Sequence, residues 1–303
     1  MIIMYDILII GGGPAGLTAA TYACRAGKSV LVLEKAAFGG QITWSPRVEN
    51  FPGFVSISGN ELGDKLLEQA MEQGAEVELE EVTGLEKTDA GWKVLCDSGA
   101  SFEGKALILA AGARPRMLGV EREEELVGSG VGYCAVCDGA FYKGKAVAVN
   151  GGGNSALQDA LLLSETCSKV YLIHRRDAFR GEQKLVDALK QRANVEFVLN
   201  ASVTALLGEE ELTGVTVEQN GESRDLPVEG LFVAIGHQPD LEAFAPWLSR
   251  DKAGYADAGE DCLTPTEGLF VAGDCRKKSV RQLTTAAADG AVAALAACHW
   301  LDR

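Results

Sequence analysis

The segment YDILIIGGGPAGLTAATYACRAGKSVLVLEK, Tyr5 to Lys35, recurs in outline 140 residues later as KAVAVNGGGNSALQDALLLSETCSKVYLIHRR, Lys145 to Arg176. Each copy passes from an apolar run through a glycine-rich turn into a helical pattern and then a second apolar run, which is one βαβ unit. In the first copy Gly11, Gly13 and Gly16 fit G-x-G-x-x-G. One glycine makes the tight turn, one lets backbone approach a pyrophosphate, and one lets helix and strand pack closely. Gly151, Gly153 and Ala156 take those places in the second copy. Two such units restrict the chain to an α/β fold with two Rossmann-like dinucleotide-binding domains, and 303 residues suffice for two cores.

The apolar strands KALILAAGARPR and LFVAIGHQPD both close on glycine and proline, and they bracket the second copy. This predicts a second domain inserted into a discontinuous first one: residues 1–113 and 241–303 for the outer domain, 114–240 for the inner. Within the outer domain, NELGDKLLEQAMEQG places Leu62, Leu66, Leu67, Ala70 and Met71 on one helical face, with Gly74 as the C-terminal cap. VELEEVTGLEKTDAGWKVLCDSGASF reads as short strands with turns at Gly84, Gly91 and Gly99, a meander flanking the first sheet. The block GLFVAGDCRKKSVRQLTTAAADGAVAALAA is again a strand, a loop and an alanine-rich helix. Asp274 stands there at a strand end, suited to a polyol hydroxyl, and the helix start near Thr284 faces something anionic. Plain helix capping is the alternative reading.

The copies differ where a ribose is read. Glu34 of the first aligns with His174 of the second, followed by Arg175 and Arg176, with Arg180 four residues later. A carboxylate accepts hydrogen bonds from ribose hydroxyls, whereas clustered guanidinium groups favour a ribose carrying a phosphate. Copy one therefore suits FAD or NAD, and copy two suits NADP. The plainer reading of HRRDAFR is a solvated helix start capped by Asp177. Two dinucleotides in one chain imply electron transfer between them, with NADPH giving hydride to a tightly held flavin.

The charge balance narrows the partners. With 43 acidic against 28 basic side chains and a net charge of −15, the surface repels phosphate backbones, so nucleic acid is not an expected partner. No basic segment precedes the first apolar run, which contains Asp6; Met1 to Ile10 reads as a strand and not as a signal peptide. No apolar run reaches the roughly 18 residues of a membrane helix. Cysteines at 24, 96, 134, 137, 167, 262, 275 and 298 lack the density of a secreted disulfide framework, which points to the cytoplasm.

Only Cys134 and Cys137, in GYCAVCDG, form a close pair. A structural zinc site wants four ligands and one C-x-x-C supplies two, so no metal is expected. A permanent disulfide is disfavoured in a reducing compartment, and so short a loop constrains an unfolded chain very little. Close spacing, an adjacent acid and a flavin in the same chain favour reversible dithiol chemistry. Asp138 is placed to exchange a proton with a thiol, although an exposed turn aspartate has the same sequence.

The motifs GGGPAGLTAA, GGQIT, VENFPG, AAGARPR, CAVCDG, GGGNSA, HRRDAFR, AIGHQP and AGDCRKKSVRQLTTAAADG occur in the order of the low-molecular-weight thioredoxin reductase family, which this chain resembles over essentially its whole length. The resemblance implies a homodimer with FAD in the discontinuous domain, NADPH in the inserted one, and electrons passing from NADPH to flavin to disulfide to thioredoxin. It implies flavin contacts at Gly11, Gly13, Gly16, Glu34, Gly40, Gln41, Asn50, Asp274, Arg281 and Gln282. It places NADPH on Gly151, Gly153, Ala156, His174, Arg175, Arg176 and Arg180. Cys137 then faces the flavin, Cys134 attacks the partner's disulfide, and Asp138 is the acid. The chain departs from the family pattern at Val136, usually threonine, in TWSPR after GGQ, at Asn154, and at Asp240, usually asparagine.

Two other functions share these features. One keeps the flavin and dithiol with a different partner: a peroxidase-linked protein disulfide, a small-molecule dithiol with oxygen as acceptor, or ferredoxin as donor, the last opposed by HRRDAFR. The other is a non-enzymatic nucleotide-binding redox sensor.

Overall fold

Strands β1 (Met4–Ile10) and β2 (Val30–Glu34) are apolar almost without alternation, the pattern of strands covered on both faces, and in the computed structural model, which describes residues 3–303, they pair in parallel. Met1 and Ile2 of the expected first strand lie outside the described residues. Between the two strands runs α1 (Pro14–Arg25), with proline in its first turn, where its missing N–H costs nothing.

Next comes α2 (Gly59–Glu72), capped by Ser58, whose Oγ accepts from the Glu61 N–H at 3.1 Å, and followed by Gly74 at φ 98°. Leu62 and Ala70 of its expected apolar face are buried and Leu66 and Leu67 half-buried, but Met71 is 50% exposed. Met71 follows Leu62 by nine residues, which at 3.6 per turn is half a turn around the helix.

Then follow β3 (Glu76–Leu79), β4 (Val82–Thr88), β5 (Gly91–Cys96) and β6 (Ser101–Leu109). The sheet order is β3-β2-β1-β6-β5-β4, parallel as far as β6 and antiparallel beyond it. Gly84, expected at a turn, instead lies inside β4, where the pairing register slips between Val82 and Gly84. Gly91 opens β5, and Gly99 turns the chain toward β6.

The chain leaves along β7 (Ala113–Pro115) and builds a second sheet from β8 (Val131–Gly132), β9 (Ala146–Gly151), β10 (Lys169–His174), β11 (Val195–Leu199) and β15 (Gly230–Ala234), in the parallel order β11-β10-β9-β15-β8. Helices α3 (Ala135–Asp138), α4 (Asn154–Ser164) and α5 (Gln183–Lys190) connect its strands, and β12 (Ala201–Leu207), β13 (Gly214–Gln219) and β14 (Glu222–Leu226) form an antiparallel meander. The order β11-β10-β9-β15 repeats β3-β2-β1-β6, so the internal repeat of the sequence is a repeat of topology. HRRDAFR is the loop leaving β10; α5 starts only at Gln183, after Glu182, so Asp177 caps no helix.

The return is β16 (His237–Pro239), which pairs with β7, and then β17 (Leu269–Val271) joins the first sheet beside the second half of β6. The C-terminal helix α6 (Leu283–Leu301) lies on α1 with almost no space between them. A Cβ on Gly290 would sit 2.1 Å from the Ala15 carbonyl oxygen. One unit thus runs through Arg114 and resumes from Gln238 to Arg303, and the other is Pro115–His237.

Each unit buries both faces of its sheet. In the outer unit Ile7, Ile9, Val30 and Val32 meet the alanines of α1 and α6, while Leu8, Leu31, Leu33 and Leu107 meet Trp92 and Phe244 on the other face. In the inner unit Val147 and Val149 meet Leu157, Ala160 and Leu163 of α4, while Ala148 and Leu231 meet Val215 and Val217 of the meander. No helix among the described residues is long and apolar enough to cross a membrane.

Candidate active site

The turn between β1 and α1 shows why three glycines stand where they do. Gly11 has φ 108°, and a Cβ there would lie 2.3 Å from the Ala110 carbonyl oxygen; a Cβ on Gly16 would lie 1.8 Å from that of Gly11. Gly13 is different. Its Cβ position meets nothing nearer than the Gly40 Cα at 3.9 Å, leaving an open floor at the start of α1, where unpaired N–H groups favour an anion. The Glu34 carboxylate closes one side: Oε2 accepts from Gly12 N–H at 2.7 Å and Oε1 from Ala36 N–H at 3.0 Å. Gly40, at φ 63°, closes the other, and Gln41 donates from Nε2 to the Ala113 carbonyl at 2.8 Å.

The loop between β17 and α6 reaches the same place. A Cβ on Gly273 would lie 2.8 Å from the Ala15 Cβ in the first turn of α1. Asp274 follows it, half-buried, with a buried Oδ1 that has no hydrogen-bond partner among the described residues. Burial raises its carboxyl above the ordinary range. Arg281 donates from Nε to the Asp274 carbonyl at 3.2 Å and stacks on Tyr255, its guanidinium carbon 3.9 Å from the ring centre. Gln282 caps α6, and its Oε1 is 3.5 Å from Asn50 Nδ2.

The second glycine turn, in the inner unit, is built alike. A Cβ on Gly151 would lie 2.4 Å from the Ala234 carbonyl oxygen and 2.7 Å from the Ala156 Cβ, whereas the Cβ position of Gly153 meets nothing within 4 Å. The His174 ring lies over the middle glycine, where a Cβ on Gly152 would be 2.1 Å from it, and stacks on Phe179 with centroids 5.3 Å apart. Burial, then the positive charges of Arg180, Arg176 and Arg175, hold this imidazole below its usual pKa. Its Nε2 is buried without a partner among the described residues. Arg180 N–H donates to the Gly152 carbonyl at 2.7 Å, which brings the arginine loop onto the glycine turn. The guanidinium groups of Arg175, Arg176 and Arg180 are exposed, with no ion-pair partner among the described residues. Neutral imidazole, open floor and free guanidiniums fit a phosphorylated nucleotide.

Cys134 and Cys137 are joined as a disulfide, with Cα atoms 5.2 Å apart, in the same unit. Cys134 is the N-cap of α3: its Sγ accepts from the Cys137 N–H at 3.2 Å, and its carbonyl accepts from the N–H groups of Cys137 and Asp138 at 3.1 Å. An amide aimed at Cys134 Sγ favours the thiolate once the bond opens. Ala135 anchors the short helix in the core, and Val136 between the thiols is 61% exposed. Asp138, on the last turn of α3, has a buried and unpartnered Oδ1, and burial alone pushes its carboxyl up to about 6. It is poised to hold or give up a proton near neutral pH.

Among the described residues, the three buried side-chain atoms left without partners belong to Asp138, His174 and Asp274, all singled out by their sequence motifs. Sequence reasoning missed Arg276, Lys278 and Asp289, a buried ion-pair cluster beneath the Asp274 loop, and Asp159 on α4, whose carboxyl burial also raises to about 6. No group of metal-binding side chains occurs among the described residues.

Asp138→Asn is expected to remove an ionisation near pH 6 from the pH profile of disulfide reduction and to slow that step by about 10²-fold, the lower end of what a positioned acid or base contributes. Asp159 titrates in the same range, so a profile that keeps its break in Asp138→Asn assigns it to Asp159. Stability carries a matching sign. A carboxyl raised from 3.8 to about 6 on folding stabilises the fold fully below the lower value and loses that contribution as pH rises through the upper one. Urea unfolding between pH 4 and 7 is therefore expected to show less pH dependence in the variant.

Two dinucleotide-type units, one carrying a dithiol/disulfide beside a titratable acid, define a nucleotide-dependent disulfide oxidoreductase. The chain belongs to the pyridine nucleotide-disulphide oxidoreductase family, which matches residues 5–290. It is 39% identical to a thioredoxin reductase of Treponema pallidum (strain Nichols) over 301 residues, covering 98% of this chain and 97% of that protein. It is also 39% identical to a bifunctional thioredoxin reductase/thioredoxin of Mycobacterium leprae (strain TN), over 98% of this chain and 66% of that one. The crystal structure of thioredoxin reductase from Streptococcus pyogenes MGAS5005 superposes with a TM-score of 0.93 at 38% identity, covering 99% of this chain and 98% of that one.

Proposed function

We propose that the protein is an NADPH-dependent flavoprotein disulfide reductase whose protein substrate is thioredoxin. The observation that carries this reading is the Cys134–Cys137 disulfide beside the unpartnered Asp138, in the unit that also presents exposed Arg175, Arg176 and Arg180. The relatives named above act as the class would, and one of them is fused to a thioredoxin.

FAD belongs on the outer unit. Gly13 leaves room for its pyrophosphate at the start of α1, Glu34 meets the adenosine ribose, and Asp274 Oδ1 supplies a buried partner for a flavin-side hydroxyl, with Gly11, Gly16, Gly40, Gln41, Asn50, Arg281 and Gln282 forming the rest of the cradle. NADPH belongs on the inner unit: Gly151, Gly153 and Ala156 form the turn, and His174 with the three arginines takes the 2′-phosphate. When bound, the flavin relays two electrons from the nicotinamide hydride to the disulfide. The chain's own residues do the rest. Cys137 would take the electrons from the flavin, Cys134 as a thiolate attacks the substrate disulfide, Cys137 resolves the mixed disulfide, and Asp138 carries the proton. One NADPH and one proton thereby convert one thioredoxin disulfide into a dithiol. The protein acts as a homodimer in the cytoplasm.

Steady-state NADPH oxidation with thioredoxin tests the reading against its rivals. Turnover that saturates with thioredoxin is expected. Oxygen consumption without thioredoxin indicates a dithiol oxidase, turnover only with a peroxidase-linked disulfide protein or with reduced ferredoxin indicates those partners, and a single stoichiometric reduction indicates a sensor.

A further inference from the structure

Beneath the loop that carries Asp274 and Arg281 lies a carboxylate with an unusual number of donors. Asp289, in the first half of α6 and 5% exposed, accepts from Arg276 Nε at 2.8 Å, from the same guanidinium's NH2 at 2.9 Å, from Lys278 Nζ at 2.9 Å and from the Gly273 N–H at 3.0 Å. Its carbonyl takes the Cys262 thiol at 3.5 Å. Arg276 is 2% exposed and the Lys278 side chain 5%, so two cations are buried around this one acid; Glu260, the other acid near Arg276, is almost fully exposed. The donors come from 273, 276 and 278, three points along one loop. The chain between and just beyond these points carries Asp274 and Arg281, and Arg281 is tied back to the carbonyls of Asp274 and Arg276. The absence of a side chain on Gly290 lets α6 press against the first turn of α1, so Asp289 is fixed relative to the Gly13 floor.

We propose that Asp289 is a positioning residue for the flavin half of FAD: it locks the Gly273–Gln282 loop so that Asp274 and Arg281 are in place before the cofactor arrives. Asp289 acts through the loop, because its carboxylate oxygens are taken by Gly273, Arg276 and Lys278. Its bidentate arginine and buried lysine do for this loop what an outer-shell hydrogen bond does for a ligating side chain. The cluster also explains why the charged run CRKKSVR is not a solvated face: its first arginine and second lysine point inward at Asp289.

The inference rests on FAD occupying the outer unit, and its test separates the two ideas. Dissociation constants for FAD and for ADP are measured by titrating FAD-stripped full-length protein, wild type, Asp289→Asn and Arg276→Gln. With the inner unit's turn filled beforehand by saturating NADP+, ADP reads the Gly11–Gly16 turn and Glu34 without the flavin half. The expected result in both variants is FAD binding weakened by about 10- to 100-fold, the range over which losing an outer-shell partner weakens a bound group, with ADP binding within twofold of wild type. The remaining bound flavin is expected to show an altered visible circular dichroism spectrum. Parallel loss of FAD and ADP in both variants means a merely structural role and overturns the proposal, as does unchanged FAD binding. If Asp289→Asn does not fold, Arg276→Gln alone decides by the same criteria. A wild-type protein that binds ADP but not FAD overturns the cofactor assignment itself, and the positioning role with it.

Discussion

Replacing either Cys134 or Cys137 with serine is expected to abolish thioredoxin reduction, by at least about 10³-fold, while NADPH still bleaches the bound flavin at close to the wild-type rate. The two outcomes differ because they lie on opposite sides of the disulfide in the electron path. The hydride would come from the nicotinamide of NADPH, a step that needs neither sulfur. Delivery to thioredoxin needs two sulfurs: one to attack and form the mixed disulfide, the other to resolve it. Thioredoxin lies near about −270 mV, so the dithiol must be of similar or lower potential, and each 30 mV of gap is worth about 1.4 kcal/mol for a two-electron couple. A serine hydroxyl can neither store nor pass these electrons. The two variants should also differ from each other. With Cys137→Ser the remaining Cys134, whose Sγ accepts the backbone N–H at position 137, can still form one mixed disulfide and then stall; with Cys134→Ser the attacking thiol is gone and trapping by thioredoxin should be far slower. The measurements are stopped-flow flavin absorbance with NADPH alone, steady-state thioredoxin reduction, and mass spectrometry of the trapped species. Wild-type reductase turnover in either variant would exclude the dithiol route.

How much of this was readable beforehand depends on whether the controlling interactions are local in sequence. The glycine turns are local: the positive φ of Gly11 and the closeness of Gly16 to the Gly11 carbonyl follow from a six-residue stretch, and so they were legible. The repeated strand order was legible for the same reason, since each βαβ unit closes within about 30 residues. Gly84 was misread because a glycine marks a turn and a bulge equally well, and only the pairing partner, Leu95, decides between them. Met71 was placed on the buried face although its angle on the helix puts it half a turn from Leu62.

Asp289 was invisible for a deeper reason. In LTTAAADGAVAA it looks like a solvated aspartate on an alanine helix, and RKK looks like a solvated basic run; only folding brings the loop back over α6 and buries both. Buried charge clusters of this kind are specified by tertiary geometry and leave no periodic trace. Asp274 and Asp138 were easier to find because each follows directly on a motif residue. Their lack of partners is likewise a tertiary fact, and it is what turns two acids at plausible positions into two sites waiting for a ligand or a proton.

The second large effect is expected in nucleotide selectivity. Arg175 and Arg176 stand just past the end of β10, directly after His174, which takes the place of Glu34 in the first copy of the repeat, and their exposed guanidiniums pair with no carboxylate among the described residues. An exposed cation without a partner contributes little to folding, so replacing both should leave thermal stability nearly unchanged. It should not leave NADPH binding unchanged. A charge-assisted hydrogen bond to phosphate contributes about 1.5 to 3 kcal/mol, so losing two weakens NADPH by about 3 to 6 kcal/mol at most, roughly 10²- to 10⁴-fold in kcat/KM. NADH has no 2′-phosphate to lose and should change by less than about threefold. Arg180 and His174 remain in the double variant. Arg180 is held to the glycine turn through its own N–H to the Gly152 carbonyl, so a residual preference for NADPH is expected to persist until Arg180 is replaced too. The ionic-strength dependence should fall with each arginine removed, because the screened interaction is between exposed charges. Measured as kcat/KM for both nucleotides with saturating thioredoxin, the double variant Arg175→Ala/Arg176→Ala should collapse the NADPH-to-NADH ratio. Equal losses for the two nucleotides would mean that these arginines support the loop's shape and not the phosphate, and the assignment of this unit to NADPH would then have to rest on His174 and Arg180 alone.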